Sequence, residues 1–315
     1  MILAIKHWFE LVARNGPTAL ALGISIGVFI PEFADNAKNW ISETVFIFVL
    51  GTFLRADFKE IFIALKKPSV SIYFPVFMVI FCPYIAGTLT LMLGGGTEIA
   101  LAIALAVAAP PASGNAAVAR MLGLLPSLSL VTTTCSMLLI PFTAPFILNI
   151  FDPTLSITLN PFDMAYRLTL LLGSCISLAI LLRKVIPKKI HNNNVTIDGI
   201  VILSLLIFAC GTMSGMQDMI INDTQIVLST VLLAYFTNIA LQIAGLIAYP
   251  GDLKSRVTMG FTCGNRNIGL LWAVLGSGIS PTVALFFACA QFPIYTIPKL
   301  LHFAFSKLRV TLKQE

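Results

Sequence analysis

Charge is scarce in this chain. Lys, Arg, Asp and Glu make up only 11% of its 315 residues, where a soluble domain carries about 25%. That scarcity, with 57% apolar residues and a mean hydropathy of +0.93, excludes an ordinary soluble domain. It also argues against reading the net charge of +6 as a nucleic-acid footprint. Histidine is scarcer still, and His7, His191 and His302 sit at the edges of apolar stretches. No Ser/His/Asp arrangement, zinc-ligand spacing or phosphate-cradling glycine loop occurs, so the expectation is a protein that is not an enzyme. The six cysteines lie singly in apolar segments, with Cys263 and Cys289 the nearest pair. They read as small, free core residues. The N-terminal residues lack a small-residue cleavage site, which predicts no removable signal peptide.

What the chain has in abundance is long apolar runs. A membrane span needs roughly 20 such residues, and ten stretches qualify, at about 17–31, 40–54, 69–93, 97–122, 127–150, 163–184, 197–217, 224–249, 255–277 and 281–307. Residues 3–13 are predicted to form an interfacial helix with Trp8 and Phe9 at the lipid surface. With ten spans, all 20 Lys and Arg except Lys38, Arg167 and Arg266 gather on one side. By the positive-inside rule that side is cytoplasmic and carries both termini.

Two of these stretches are interrupted in matching places. Ala108-Ala109-Pro110-Pro111-Ala112-Ser113-Gly114-Asn115 breaks the first, and Thr262-Cys263-Gly264-Asn265-Arg266-Asn267 breaks the second. Open backbone cannot face lipid, so each break must meet protein or a water-filled cavity. The breaks fall in the fourth span of each set of five. This predicts an all-α polytopic membrane protein built as a single unit over 1–315. Its two inverted five-helix repeats, 17–150 and 163–307, are joined through 151–162, and helices 4 and 9 are broken and cross.

Arg266 is the residue that belongs to no loop. A cation at membrane depth is costly and needs a cavity, a partner or a ligand. None of the 14 acids falls at the centre of a span, so Arg266 either bonds carbonyls of the breaks or meets an anion that comes and goes. Asn265 and Asn267 flank it, and the half-helix N-termini after each break favour negative charge. Gly264 and Gly269 are expected to let the backbone leave the helix. Ser113, Asn115, Ser129 and Thr132–Thr134 supply oxygens suited to a hard cation, or to plain helix–helix bonding. Asn238 and Gln242, four apart, share one face of the eighth stretch. Gln291 roughens the tenth.

At these residues the chain resembles the bile acid:sodium symporter superfamily, over nearly its whole length. Gly51-Thr52-Phe53-Leu54-Arg55-Ala56-Asp57-Phe58-Lys59 is similar to that family's Gly-Leu-x-Leu…Asp-Phe-Lys stretch. Pro110 to Asn115 stands where the family has Pro-Gly-Gly-Thr-x-Ser-Asn, and Gly264-Asn265-Arg266-Asn267-Ile268-Gly269-Leu270 is similar to Gly-Met-Gln-Asn-Ser-Gly-Leu. The resemblance implies a panel and a core domain with substrate between them, transport by rocking, and a location in the bacterial inner membrane. It implies a small or amphipathic organic anion as substrate, met by Arg266, Asn265, Asn267, Pro111, Ser113 and Asn115. No organic cofactor is implied, and the partners are the anion and the lipid bilayer, with no nucleic acid.

Sodium is the one inorganic ligand the resemblance suggests. Asn115 and Ala116 stand at the family's Ser-Asn pair, with Ser129 and Thr133 at its other two ligands, leaving a residual site. At the second sodium site the family's Glu and two Gln are replaced by Thr262, Arg266 and Met78. A site that loses its carboxylate and gains a guanidinium holds Na⁺ poorly. Arg266 is therefore expected to stand in for that ion, leaving Na⁺ coupling in doubt. Arsenite-exporting relatives use a Cys at the first break, where this chain has Ala and Pro. Auxin-efflux-type carriers and a non-transporting receptor are the competing expectations.

Overall fold

The computed structural model describes residues 2–55, 63, 66–152 and 160–311. Ala56–Lys59 of the first family-like motif, most of the 151–162 connection and Lys313 lie outside them. The described residues are nearly all helical and contain no strand, only an isolated antiparallel bridge between Pro111 and Arg266.

Among the described residues, sixteen helical segments of six or more residues follow in order: α1 (Ile2–Arg14), α2 (Gly16–Phe29), α3 (Pro31–Lys38), α4 (Ile41–Arg55), α5 (Ser69–Met92), α6 (Thr97–Ala108), α7 (Asn115–Leu122), α8 (Pro126–Phe151), α9 (Pro161–Val185), α10 (Pro187–Asn192), α11 (Asn194–Gly211), α12 (Met216–Asn222), α13 (Thr224–Ala248), α14 (Leu253–Gly264), α15 (Ile268–Leu275) and α16 (Pro281–Thr311). Among the described residues, six are long and apolar enough to cross a membrane: α5, α8, α9, α11, α13 and the Pro281–Phe303 part of α16. The shorter α6 is apolar too. The outer surface carries Phe29, Phe142, Phe162, Phe236 and Leu93, all more than two-thirds exposed. Large apolar side chains left exposed in this way suit lipid.

Local chemistry sets the ends. Proline, whose missing N–H is harmless in a first turn, opens α3, α8, α9, α10 and α16. Asn160 caps α9 by accepting from the Asp163 amide at 2.8 Å. Inside α5, Pro75 and Pro83 each remove a donor, and the helix winds through two π-helical turns, Ser69–Tyr73 and Phe77–Phe81. Gly123, at φ 72°, ends α7 in the left-handed conformation, a position L side chains rarely adopt.

Two packing groups can be traced, joined to each other where α8 meets α9 and where α2 meets α16. Helix α11 lies against α1, α2, α3 and α4, and α4 lies against α9. Small residues bring these backbones together: a β-carbon at Gly27 would sit 2.9 Å from the Cys210 backbone, and one at Gly211 would sit 2.9 Å from the Ala37 backbone. The N-terminal helix is part of this group, with the Phe9 carbonyl lying against Gly199 and Trp8 exposed. In the second group, α13 packs on α14 and α16, α16 on α6, and α8 on α6, α7 and α14. All six cysteines are free and buried.

Candidate functional site

The first break begins where the Ala-rich α6 runs into Pro110 and Pro111. Ala109 turns to extended geometry, at φ −54° and ψ 143°, as a residue before proline must. The second begins at Asn265, extended at φ −89° and ψ 105°. The two breaks lie side by side and antiparallel. The Ala112 amide donates to the Asn265 carbonyl at 2.8 Å, and the Asn267 amide donates to the Pro110 carbonyl at 2.7 Å. Each break thus supplies the backbone partners that the other has lost, as buried backbone requires. Helices α7 and α15 start from this crossing, so both of their N-termini face it.

Side chains complete the pairing. Asn115 donates to the Asn265 carbonyl at 3.1 Å and the Thr262 carbonyl at 3.5 Å. Asn267 donates to the Ser113 hydroxyl at 3.2 Å. Asn238, on α13, donates to the Gly264 carbonyl at 2.9 Å and accepts from Gln242 at 2.7 Å. A β-carbon at Gly264 would strike the Gln242 side chain and lie 2.9 Å from the Asn238 carbonyl. One at Gly269 would lie 2.8 Å from the Phe208 ring. Both glycines permit close approach, and neither has a positive φ; the backbone leaves the helix directly after Gly264, whereas Gly269 lies within α15.

Arg266 is 3% exposed. Its Nη1 donates to the Ala109 carbonyl at 3.2 Å and its Nη2 contacts the Cys263 sulfur at 3.5 Å, while Nε has no partner among the described residues. None of the described carboxylates forms an ion pair with it. The buried guanidinium is thus half-satisfied, with no carboxylate partner among the described residues. It borders two small cavities, of about 30 and about 20 Å³, enough for a water or two and too small for an organic anion. Asn115, Asn267, Phe208, Gln291 and Tyr295 also line the larger.

The crossing therefore brings together all six anion-binding residues expected from sequence. Arg266, Asn267 and Asn115 reach the cavity, whereas Pro111, Ser113 and Asn265 are spent on the crossing itself. Of the expected cation ligands, Thr262 donates to the Ser129 hydroxyl at 2.9 Å. Among these ligands Asn115 meets Thr262 alone, at its carbonyl, and it does so with its amide donor, which is the wrong end for a cation. The Thr133 hydroxyl, one turn beyond Ser129, is buried without a partner among the described residues. No group of three or more His, Cys, Asp or Glu suited to a metal occurs among the described residues.

One cluster escapes sequence reasoning. Asp198, at the start of α11, binds Arg55 at 2.6 Å and Arg120 at 3.0 Å. Arg55 also donates to the Ser113 carbonyl of the first break at 2.6 Å and to Gly51 at 3.1 Å. Counted along the chain, both arginines look like loop charges. The available hint was that Asp198 lies just inside an apolar stretch, opposite a strongly basic side.

No protein-family model matches the chain, and no curated protein matches it.

Proposed function

We propose that the chain is a secondary carrier for a small or amphipathic organic anion, working by alternating access in the manner of the bile acid:sodium symporter superfamily. In this reading ten spans form two inverted five-helix repeats in the bacterial inner membrane, with both termini cytoplasmic. The group around α11 is the panel, and the group holding the crossing is the core. The single observation that carries the reading is Arg266, buried between two mutually paired breaks with no described carboxylate against it. A carboxylate entering from the panel side would meet the Arg266 guanidinium, the Asn267 amide and the N-termini of α7 and α15. All of these favour negative charge. The cavity of about 30 Å³ then corresponds to a closed conformation, and rocking of panel against core opens it.

Arg266 also replaces a coupling ion. Its fixed charge repels a cation, and Thr262 offers a hydroxyl where binding Na⁺ strongly calls for a carboxylate. The remaining oxygens of Ser129, Thr133 and Asn115 make at most a weak site. Uptake of labelled bile-acid-like, pantoate-like and keto-acid anions into proteoliposomes tests this. Replacing Na⁺ by K⁺ on both sides is expected to change uptake by less than about twofold. A tenfold or greater loss, on the order of 1.4 kcal/mol, would place a working sodium site in the protein and reject the ion-replacement reading. Absence of uptake for every anion would reject the carrier.

A further inference from the structure

The Asp198 cluster opens on a cavity of about 480 Å³, bounded by the ends of α4, α7, α9 and α10 and the starts of α8 and α11. Ligand sites for small organic molecules begin at about 300 Å³, so this space is large enough where the crossing is not. Four charged side chains line it, Arg55, Arg120, Arg183 and Asp198; Arg183 donates to the Leu54 carbonyl, and the other three are unequal in standing. Arg55 and Asp198 are 6% and 5% exposed and form a neutral buried pair. Arg120 is 58% exposed and is the second cation on the same carboxylate. The trio therefore carries one surplus positive charge, and that charge sits on the wet side of the cavity. An exposed ion pair is weak, so Arg120 is held only loosely. Beyond it, Arg55 is bonded to the carbonyl of Ser113 in the first break, and Ala116, in the first turn of α7, forms part of the wall.

We propose that this cavity is a docking site for a soluble oxyanion, a carboxylate or a phosphate, which takes Arg120 from Asp198. In the empty protein Asp198 acts as the resident stand-in for the ligand. An arriving oxyanion replaces it on Arg120 and leaves Asp198 to Arg55 alone, loosening the tie between α7 and α11 next to the first break. The inference rests on the carrier reading for its biological ligand, which would dock here before or after the crossing. Binding itself needs no transport.

Protection of an introduced thiol tests it. Ser127 lines the cavity and is exposed, while the native cysteines are all buried, so Ser127→Cys in the full chain gives one reactive site for a hydrophilic maleimide. In neutral detergent, succinate or inorganic phosphate at about 1–10 mM is expected to slow labelling severalfold. Arg120→Gln should raise the half-protecting concentration about tenfold, and Asp198→Asn, which removes the resident competitor, should lower it about tenfold. A purely structural ion pair would shift both variants the same way. Protection by phosphatidylglycerol but by neither soluble anion would assign the site to a lipid headgroup and overturn the proposal. So would the absence of any protection, or same-sign shifts in the two variants. Should Asp198→Asn fail to fold, Arg120→Gln decides alone, because its loss leaves the Arg55–Asp198 pair in place. Lost protection with uptake intact rejects this site only, and lost uptake with protection intact rejects only the carrier.

Discussion

Arg266→Met is expected to abolish uptake of organic anions, by at least about 100-fold, while leaving the protein folded and its melting temperature unchanged or higher. Two opposing terms decide this. Methionine nearly matches the length of the arginine stem and needs no solvation, and it relieves the protein of a buried cation that costs about 2.5–3.5 kcal/mol on insertion scales. Exchanging a poorly compensated buried charge for an apolar side chain is often neutral or stabilising. Against that stands one bond to the Ala109 carbonyl at 3.2 Å and a long contact to sulfur. What the variant loses is the charge-assisted bonds to the anion, worth about 1.5–3 kcal/mol each, or roughly 10–150-fold apiece. Proteoliposome uptake and a thermal melt in detergent together read the outcome. A variant that fails to fold makes Arg266 a clamp on the first break, and one that still transports removes it from the site.

Gly264→Val is expected to cost about 3 kcal/mol or more and to abolish transport, read as a lower melting temperature, poor monodisperse yield and no uptake. The obstacle is backbone as well as side chain. An added β-carbon meets Gln242 and the Asn238 carbonyl, so α13 and α14 must separate. Separation breaks the bond from Asn238 to the Gly264 carbonyl, leaving that buried carbonyl without this donor at a further cost of about 1–3 kcal/mol. Gly173→Ala is the control. It stands in the middle of α9 with nothing within 4 Å of the new atom, and it should be neutral or gain up to about 1 kcal/mol from helix propensity. A Gly264→Val protein that melts with the parent would show that the close approach of α13 and α14 is dispensable.

The two breaks were legible because their causes are local. Pro110 and Pro111 remove consecutive donors whatever surrounds them, and the helices end at Ala108 and resume at Asn115 where the residues themselves require it. Arg266 stood out because it was the one cation outside every loop. The antiparallel pairing of the breaks was not legible, since it joins residues more than 150 positions apart through backbone atoms that carry no sequence signature. The burial of Arg55 was hidden for a related reason: an arginine at the end of an apolar stretch reads as a membrane-edge charge until the fold brings Asp198 to it. The first two expected stretches were short because α2 and α4 are short, with the polar α3 between them. That segment, PEFADNAK, has no long apolar run to reveal it.

The mutual pairing of the breaks has a consequence for biogenesis. While the nascent chain is still threading through the translocon, the Pro110 carbonyl and Ala112 amide have no backbone partner until Asn265 and Asn267 have been synthesised. The first half must therefore wait, shielded from acyl chains by water or by the insertion machinery, for more than 150 residues of further translation. Closure of this seam is then a late step in synthesis. A chain arrested anywhere before Asn265 cannot form it, however well its individual helices have inserted.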